Sequence, residues 1–178
     1  FETGLKALNK LTSGKVYVGI SQRQPIDVKN ATSVIFDGPH PAGNVGIQIN
    51  HIAPIDKGDT VWTMSALDVL FIGRLFDKGI ADFSRIVAVT GSEIDDPHYV
   101  RTRIGASIAS ITQGMVKAVE YEQRYISGNV LTGVKTDADG YIGATHSQIT
   151  VIPEGNNYDE FLGWASLNPH KYSTSHSY

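Results

Sequence analysis

The stretch RIVAVTG, residues 85 to 91, divides the chain into two kinds of pattern. Its run of β-branched residues reads as a strand. After it come further short apolar runs with only one short helical stretch among them. YVRTRI at 99–104 alternates like a strand after the turn Asp95-Asp96-Pro97, and ASIASITQGM following Gly105 reads as a single short helix. QRYISGNVLTG, GYIGATH and SQITVIP read as further strands, with Thr136 to Gly140 as a loop. Strand, strand, helix, strands on about seventy residues is the order of a β-grasp, ubiquitin-like sheet.

Upstream of RIVAVTG, helices and strands alternate instead. Leu5, Leu8 and Leu11 recur at three-residue spacing, the stripe of an amphipathic helix that Ser13-Gly14 ends. KVYVGI at 15–20 and TSVIFDG at 32–38 read as strands, and TVWTM at 60–64 as a third, weaker one after the turn Asp56-Lys57-Gly58-Asp59. Ser65 with Asp68 three positions on makes a capping box, and Gly79 stands where a helix end needs positive φ, so residues 66–78 should be a helix. Its apolar residues occupy nearly every side, which predicts a central element or one at a subunit contact. Beyond Pro153 the polar sequence with scattered aromatics reads as a connecting tail, anchored by Phe161, Leu162 and Trp164 and mobile at STSHSY.

Composition narrows the function classes. The 178 residues suit two small domains, and a formal charge of -3 with an isoelectric point near 6.0 gives no footprint for nucleic acid or anionic lipid. No run approaches the eighteen apolar residues of a membrane span and no leader pattern opens the chain, so the chain is expected to be soluble by itself. The absence of cysteine removes disulfides, thiolate nucleophiles and cysteine-held metal centres. Phe1 in place of Met, within what reads as a helix already begun, suggests a piece of a longer chain.

The most unusual stretch is GPHPAGNVGIQINH at 38–51. It has neither the GxGxxG spacing that brings a backbone against a pyrophosphate nor the lysine and hydroxyl of GxxxxGK[ST]. Its simplest reading is a rigid bend: Pro39 and Pro41 stiffen an extended segment, and the glycines supply turns or close backbone contact. His40 and His51 with Asp37 or Asp56 lack any metal-ligand spacing, so no metal is expected. No GxSxG and no recognisable triad is present, and Glu93, Asp95 and Asp96 read as solvated turn formers. His146 is expected at a strand edge or turn, and Trp62 and Trp164 as packing residues. No catalytic residue is assigned.

Three segments together carry a resemblance: GPHPAGNVGIQINHIAPI at 38–55, VWTMSALDVLFIGRLFDKG at 61–79, and VRTRIGASI at 100–108 with YIGATHSQITVIPEG at 141–155. They resemble the A-type subunit of the sodium-translocating NADH:quinone oxidoreductase, a bacterial respiratory complex, and the likeness runs across nearly the whole chain. It implies an internal portion of a peripheral subunit docked on membrane subunits at the cytoplasmic face of the inner membrane. The implied fold is part of a Rossmann-like α/β domain at 1–84, a β-grasp, soluble-ligand-binding domain at 85–155, and a connecting tail at 156–178. The family's loop falls on His40, Pro41, Ala42, Gly43 and Gly46, with His51 closing it, and these become candidates for a quinone-facing or partner-facing surface. A quinone needs an apolar wall and one or two donors to its carbonyl oxygens, which histidine beside exposed NH groups supplies. Bracing of the α/β half is the competing role for the same loop.

The resemblance implies a role in assembly or quinone contact rather than hydride transfer. The missing glycine fingerprint argues against FMN or NADH binding by this segment, so no cofactor of its own is expected. Two other classes compete with that reading. One is a free-standing small-molecule or peptide-binding module using the rim Thr145-His146-Ser147-Gln148. The other is a flavin or dinucleotide enzyme, for which only the α/β half speaks.

Overall fold

A computed structural model describes residues 1–22 and 27–156. The chain divides into two compact units, Phe1–Phe83 and the part from Ser84 onward. The tail residues Phe161, Leu162, Trp164, His170 and His176 lie outside the described residues.

In the first unit, helix α1 (Glu2–Leu11) precedes strand β1 (Tyr17–Ile20), which pairs in parallel with β2 (Thr32–Ile35). Helix α2 (Val45–Ile52) and helix α3 (Ala66–Lys78) follow. The core is small: Leu5, Val28 and Val69 are buried, with Phe1, Leu8, Val16, Val18 and Ala31 against them. Helices α1 and α3 meet where they carry glycine. A methyl group on Gly4 would overlap the carbonyl oxygen of Val69, and one on Gly73 would come within 3.2 Å of the Gly4 nitrogen. The bare backbones let the helices approach closely enough to bury Leu5 and Val69 between them.

Helix α3 has the expected bounds. The Ser65 hydroxyl accepts from the Asp68 N–H at 3.2 Å, and Gly79, in the left-handed region at φ 67°, returns its N–H to Leu75 O. Of the two expected settings, a central element is not what this chain shows: Val69, Phe71 and Gly73 are buried, whereas Leu75 and Phe76 are exposed. Phe71 meets Phe83 edge-on at 5.6 Å, and the Arg74 guanidinium lies 5.7 Å from the Phe71 ring centre.

TVWTM at 60–64 forms no strand; it is irregular, and Trp62 is 90% exposed rather than packed. A run of five β-prone residues gains nothing from an extended conformation unless a neighbouring strand accepts its hydrogen bonds, and the two-stranded sheet pairs only β1 with β2.

The second unit is a five-stranded sheet of order β4-β3-β7-β5-β6. Its strands are β3 (Ser84–Thr90), β4 (His98–Arg103), β5 (Gln123–Ser127), β6 (Val134–Thr136) and β7 (Gln148–Pro153). The central pair β3 and β7 is parallel, and the remaining pairs are antiparallel. The short helix α4 (Ile108–Thr112) places Ile108 and Ile111 against Val87, Val89, Ile149 and Val151 from the sheet, with Ile94 and Ile142 completing the cluster. Strand β3 shows why: Val87 and Val89 alternate inward, while Ile86 and Ala88 fall on the other face and Ile86 is exposed. At Gly91, φ is +120° and an added methyl group would overlap the backbone of Val151, so only glycine fits where the chain leaves β3.

Two sequence expectations fail here. GYIGATH at 140–146 is not a strand; a lone bridge joins Tyr141 to Ser107, and the Ile142 side chain is buried in the unit's apolar cluster. QRYISGNVLTG is a strand only to Ser127, since Asn129 turns the chain by accepting from the N–H groups of Leu131 and Thr132.

Candidate functional site

The chain leaves β2 through Phe36, whose N–H bonds to Ile20 O at 2.8 Å, and enters the loop singled out in the sequence. Gly38 takes φ +132°, the His40–Pro41 peptide is cis, and two turns close as Ala42 N–H reaches Pro39 O and Asn44 N–H reaches Pro41 O. From Val45 the segment is helical, not a bend. Helix α2 lies against β1 because Gly19 has no side chain: Gln48 occupies the space a methyl group would need. The helix escaped the sequence reading because Val45, Ile47 and Ile49 alternate as in a strand, behind two prolines and two glycines. The signal available was Asn44 as a cap followed by Val45, Ile49 and Ile52 at helical spacing.

Between the carboxyl end of β2 and helix α2 lies an open hollow of about 500 Å³. Val34, Ile35, Phe36, Ile47 and Ile52 give it apolar walls, with Ala42 from the loop and Asp37 and His51 as its polar groups. Ile47 and His51 stand one helical turn apart and so share a face. In open α/β sheets, the crevice outside the carboxyl ends of parallel strands is where ligands bind.

The structure sorts the sequence candidates. Ala42 and His51 line the hollow, whereas His40, Pro41, Gly43 and Gly46 are exposed and do not. Gly43 and Gly46 make no close backbone contact, since a methyl group on either would meet nothing within 4 Å. No group of three or more His, Asp or Glu side chains suited to a metal occurs among the described residues.

In the second unit the polar groups singled out are engaged with their neighbours. Glu93, expected to be a solvated turn former, is buried; it accepts from the Tyr121 hydroxyl at 2.8 Å and from Ser92 at 3.1 Å. That bond to a carboxylate raises the Tyr121 pKa above its ordinary 10.0. Asp95 and Asp96 are exposed as anticipated. His146 lies in a turn, its Nδ1 2.7 Å from the Ser127 hydroxyl, which also accepts from the Gly143 N–H at 2.9 Å. His146 thus ties the rim Thr145 to Gln148 to the sheet, while Thr145 and Ser147 stay exposed. Glu154, after β7, accepts from Arg124 on β5 through both oxygens and from Lys135 on β6 at 2.7 Å. These partners, Arg124 first, hold its carboxyl at about 2, below the ordinary 4.5, and the same pairing raises the Arg124 pKa. Among the described residues no helix is long and apolar enough to cross a membrane.

Comparison with known proteins fits this two-part architecture. Residues 1–81 match the family model of the NqrA second alpha/beta domain, and residues 86–138 match that of the NQRA C-terminal domain. The chain is 41% identical over 177 residues to the A-type subunit of the Na(+)-translocating NADH-quinone reductase of Neisseria meningitidis serogroup C, covering 97% of this chain and 39% of the relative. Identity and coverage are the same for its counterpart in Yersinia pseudotuberculosis serotype O:1b. With the counterpart in Hahella chejuensis the match is 40% over 183 residues, covering all of this chain and 40% of the relative. The chain thus spans about two fifths of the length of the curated relatives it matches. With an α/β unit and a mixed-sheet unit each matched in order to the corresponding domain model, the chain belongs to the NqrA family, the A-type subunits of the Na(+)-translocating NADH-quinone reductase.

Proposed function

We propose that this chain is part of a peripheral subunit in a respiratory complex that oxidises NADH, reduces quinone and exports sodium, and that it serves assembly or quinone contact rather than hydride transfer. Its place is the cytoplasmic face of the bacterial inner membrane, against the complex's membrane subunits. The names of relatives about 40% identical along the whole chain support the complex. The glycine fingerprint of flavin and dinucleotide sites is missing, which speaks against FMN or NADH on this chain. In the same reading the first unit is part of a Rossmann-like domain. The second is a β-grasp, supported by its two flanking hairpins, parallel central pair and single covering helix.

The observation that carries quinone contact is His51 beside the apolar walls of the hollow at the end of β2. Ile35, Phe36, Ile47 and Ile52 offer the flat ring an apolar surface, and an imidazole N–H offers a donor to one carbonyl oxygen. Titration with a soluble short-chain quinone, followed by amide NMR with FMN and NADH as controls, tests this. Saturable shifts at Ala42, Ile47 and His51 are expected with quinone alone, and Ile47→Asp should abolish them. No shift with quinone, together with retained docking on the membrane subunits, would leave the loop as an assembly surface.

A further inference from the structure

A second cleft, of about 680 Å³, lies at the edge of the second unit, where β4 runs into α4. Its lining differs from that of the first: Arg101 and Arg103 from β4, Ser107 and Ser110 at the start of α4, and Tyr141 from the loop bridged to Ser107. Residues two apart on a strand share a face, so Arg101 and Arg103 leave β4 on the same side, their Cα atoms about 7 Å apart along the strand. Across the ladder, Arg103 stands opposite Ser84 and Arg101 opposite Ile86, so neither meets a carboxylate on the neighbouring strand. Neither arginine has an ion-pair partner among the described residues. Ser107 is the N-cap residue of α4, yet its hydroxyl makes no capping bond. The Ser110 hydroxyl, by contrast, donates to Ser107 O at 2.8 Å.

Two fixed positive charges facing one cleft, with the Ser107 and Tyr141 hydroxyls beside them, match the oxygens of a phosphoryl group: guanidinium forks bind it through paired hydrogen bonds, and hydroxyls add single donors. We propose that this cleft binds the phosphoryl group of a small phosphomonoester, with Arg101 and Arg103 as its anchors. The site is separate from the quinone reading and stands without it. Charged side chains on an edge strand also protect it from pairing with other chains, and this is the role the test must separate.

The full chain is titrated with ribose 5-phosphate and with inorganic phosphate, followed by amide NMR and calorimetry. In parallel it is sedimented with vesicles of phosphatidylcholine and phosphatidylglycerol. Saturable shifts confined to Arg101, Arg103, Ser107 and Tyr141 are expected with both free phosphates. Affinity should fall about tenfold or more in Arg101→Ala/Arg103→Ala, and less in the lysine pair Arg101→Lys/Arg103→Lys, which keeps charge but loses the fork. Unchanged affinity in the alanine pair, or no shifts with either phosphate, would overturn the proposal. Binding to anionic vesicles alone would overturn it in favour of a membrane-facing surface, and aggregation of the alanine pair without any phosphate effect would leave edge protection as the role.

Discussion

The two units solve the problem of stability differently. The second encloses a cluster of eight buried apolar side chains between one sheet face and a short helix, and its polar groups are tied together by buried or half-buried bonds at Glu93, Ser127 and Glu154. The cluster of the first holds three, its sheet has two strands, and most of the large apolar side chains exposed among the described residues belong to it, from Ile35 and Ile47 to Trp62 and Phe76. A two-stranded sheet is marginal by itself, and contiguous exposed apolar surface marks contact with something else. The difference suggests that the second unit is self-sufficient and that the first is completed by what it touches.

The sharpest way to break that contrast is a matched pair of substitutions. Ile149→Ala empties a position of zero exposure in the larger cluster and should cost about 3–5 kcal/mol, because the surrounding strands cannot collapse into the gap. Leu5→Ala, at 1% exposure in the smaller cluster, should cost about 2–3 kcal/mol. Denaturant unfolding read by hydrogen exchange separates the units. Slowest exchange in β3 and β7 and faster exchange in α1 and α3 are expected, and equal protection of both would remove the contrast.

A smaller effect sharpens the account of the second unit. Glu154 clamps β5 and β6 through Arg124 and Lys135, and its carboxyl is held at about 2 against an ordinary 4.5. Because the folded value is the lower one, the clamp contributes fully above pH 4.5, and its contribution is lost as pH falls through about 2. Glu154→Gln should therefore lower the melting midpoint most at neutral pH, and the difference from the unaltered chain should close between pH 4.5 and 2. A difference that stayed constant with pH would show that the ion pairs are not what Glu154 contributes.

What the sequence disclosed follows the same division. Helix α3 was legible to the residue because both of its ends are local chemistry: a serine that accepts from the third residue on, and a glycine in the left-handed region. RIVAVTG was legible as strand β3 because its β-branched residues cluster in one short run. TVWTM was misread because strand formation depends on a partner that five residues cannot reveal. Helix α2 was misread because prolines and glycines at its entrance outweighed its apolar spacing. His51 was singled out with its loop, yet the apolar walls of the hollow it lines come from β2 and from α2, which only the fold brings together. Arg101 and Arg103 passed as ordinary strand residues because their lack of carboxylate partners is a fact of register.

The smallest effect bears on the first unit, where cap chemistry should matter more than in a well-packed one. Ser65→Ala removes the acceptor for the Asp68 N–H and leaves that donor to water, a loss of about 1 kcal/mol. Ser65→Thr keeps the acceptor and should restore most of it. In the isolated chain the loss should appear as faster exchange in the first turn of α3, because few buried contacts hold that helix beyond Val69, Phe71 and Gly73. Docked on partner subunits, the same substitution should be felt less if they cover the exposed Leu75 and Phe76, since packing then supplies what the cap no longer does. An equal loss free and docked would mean that this face of α3 stays in water, and the exposed apolar surface would need another occupant.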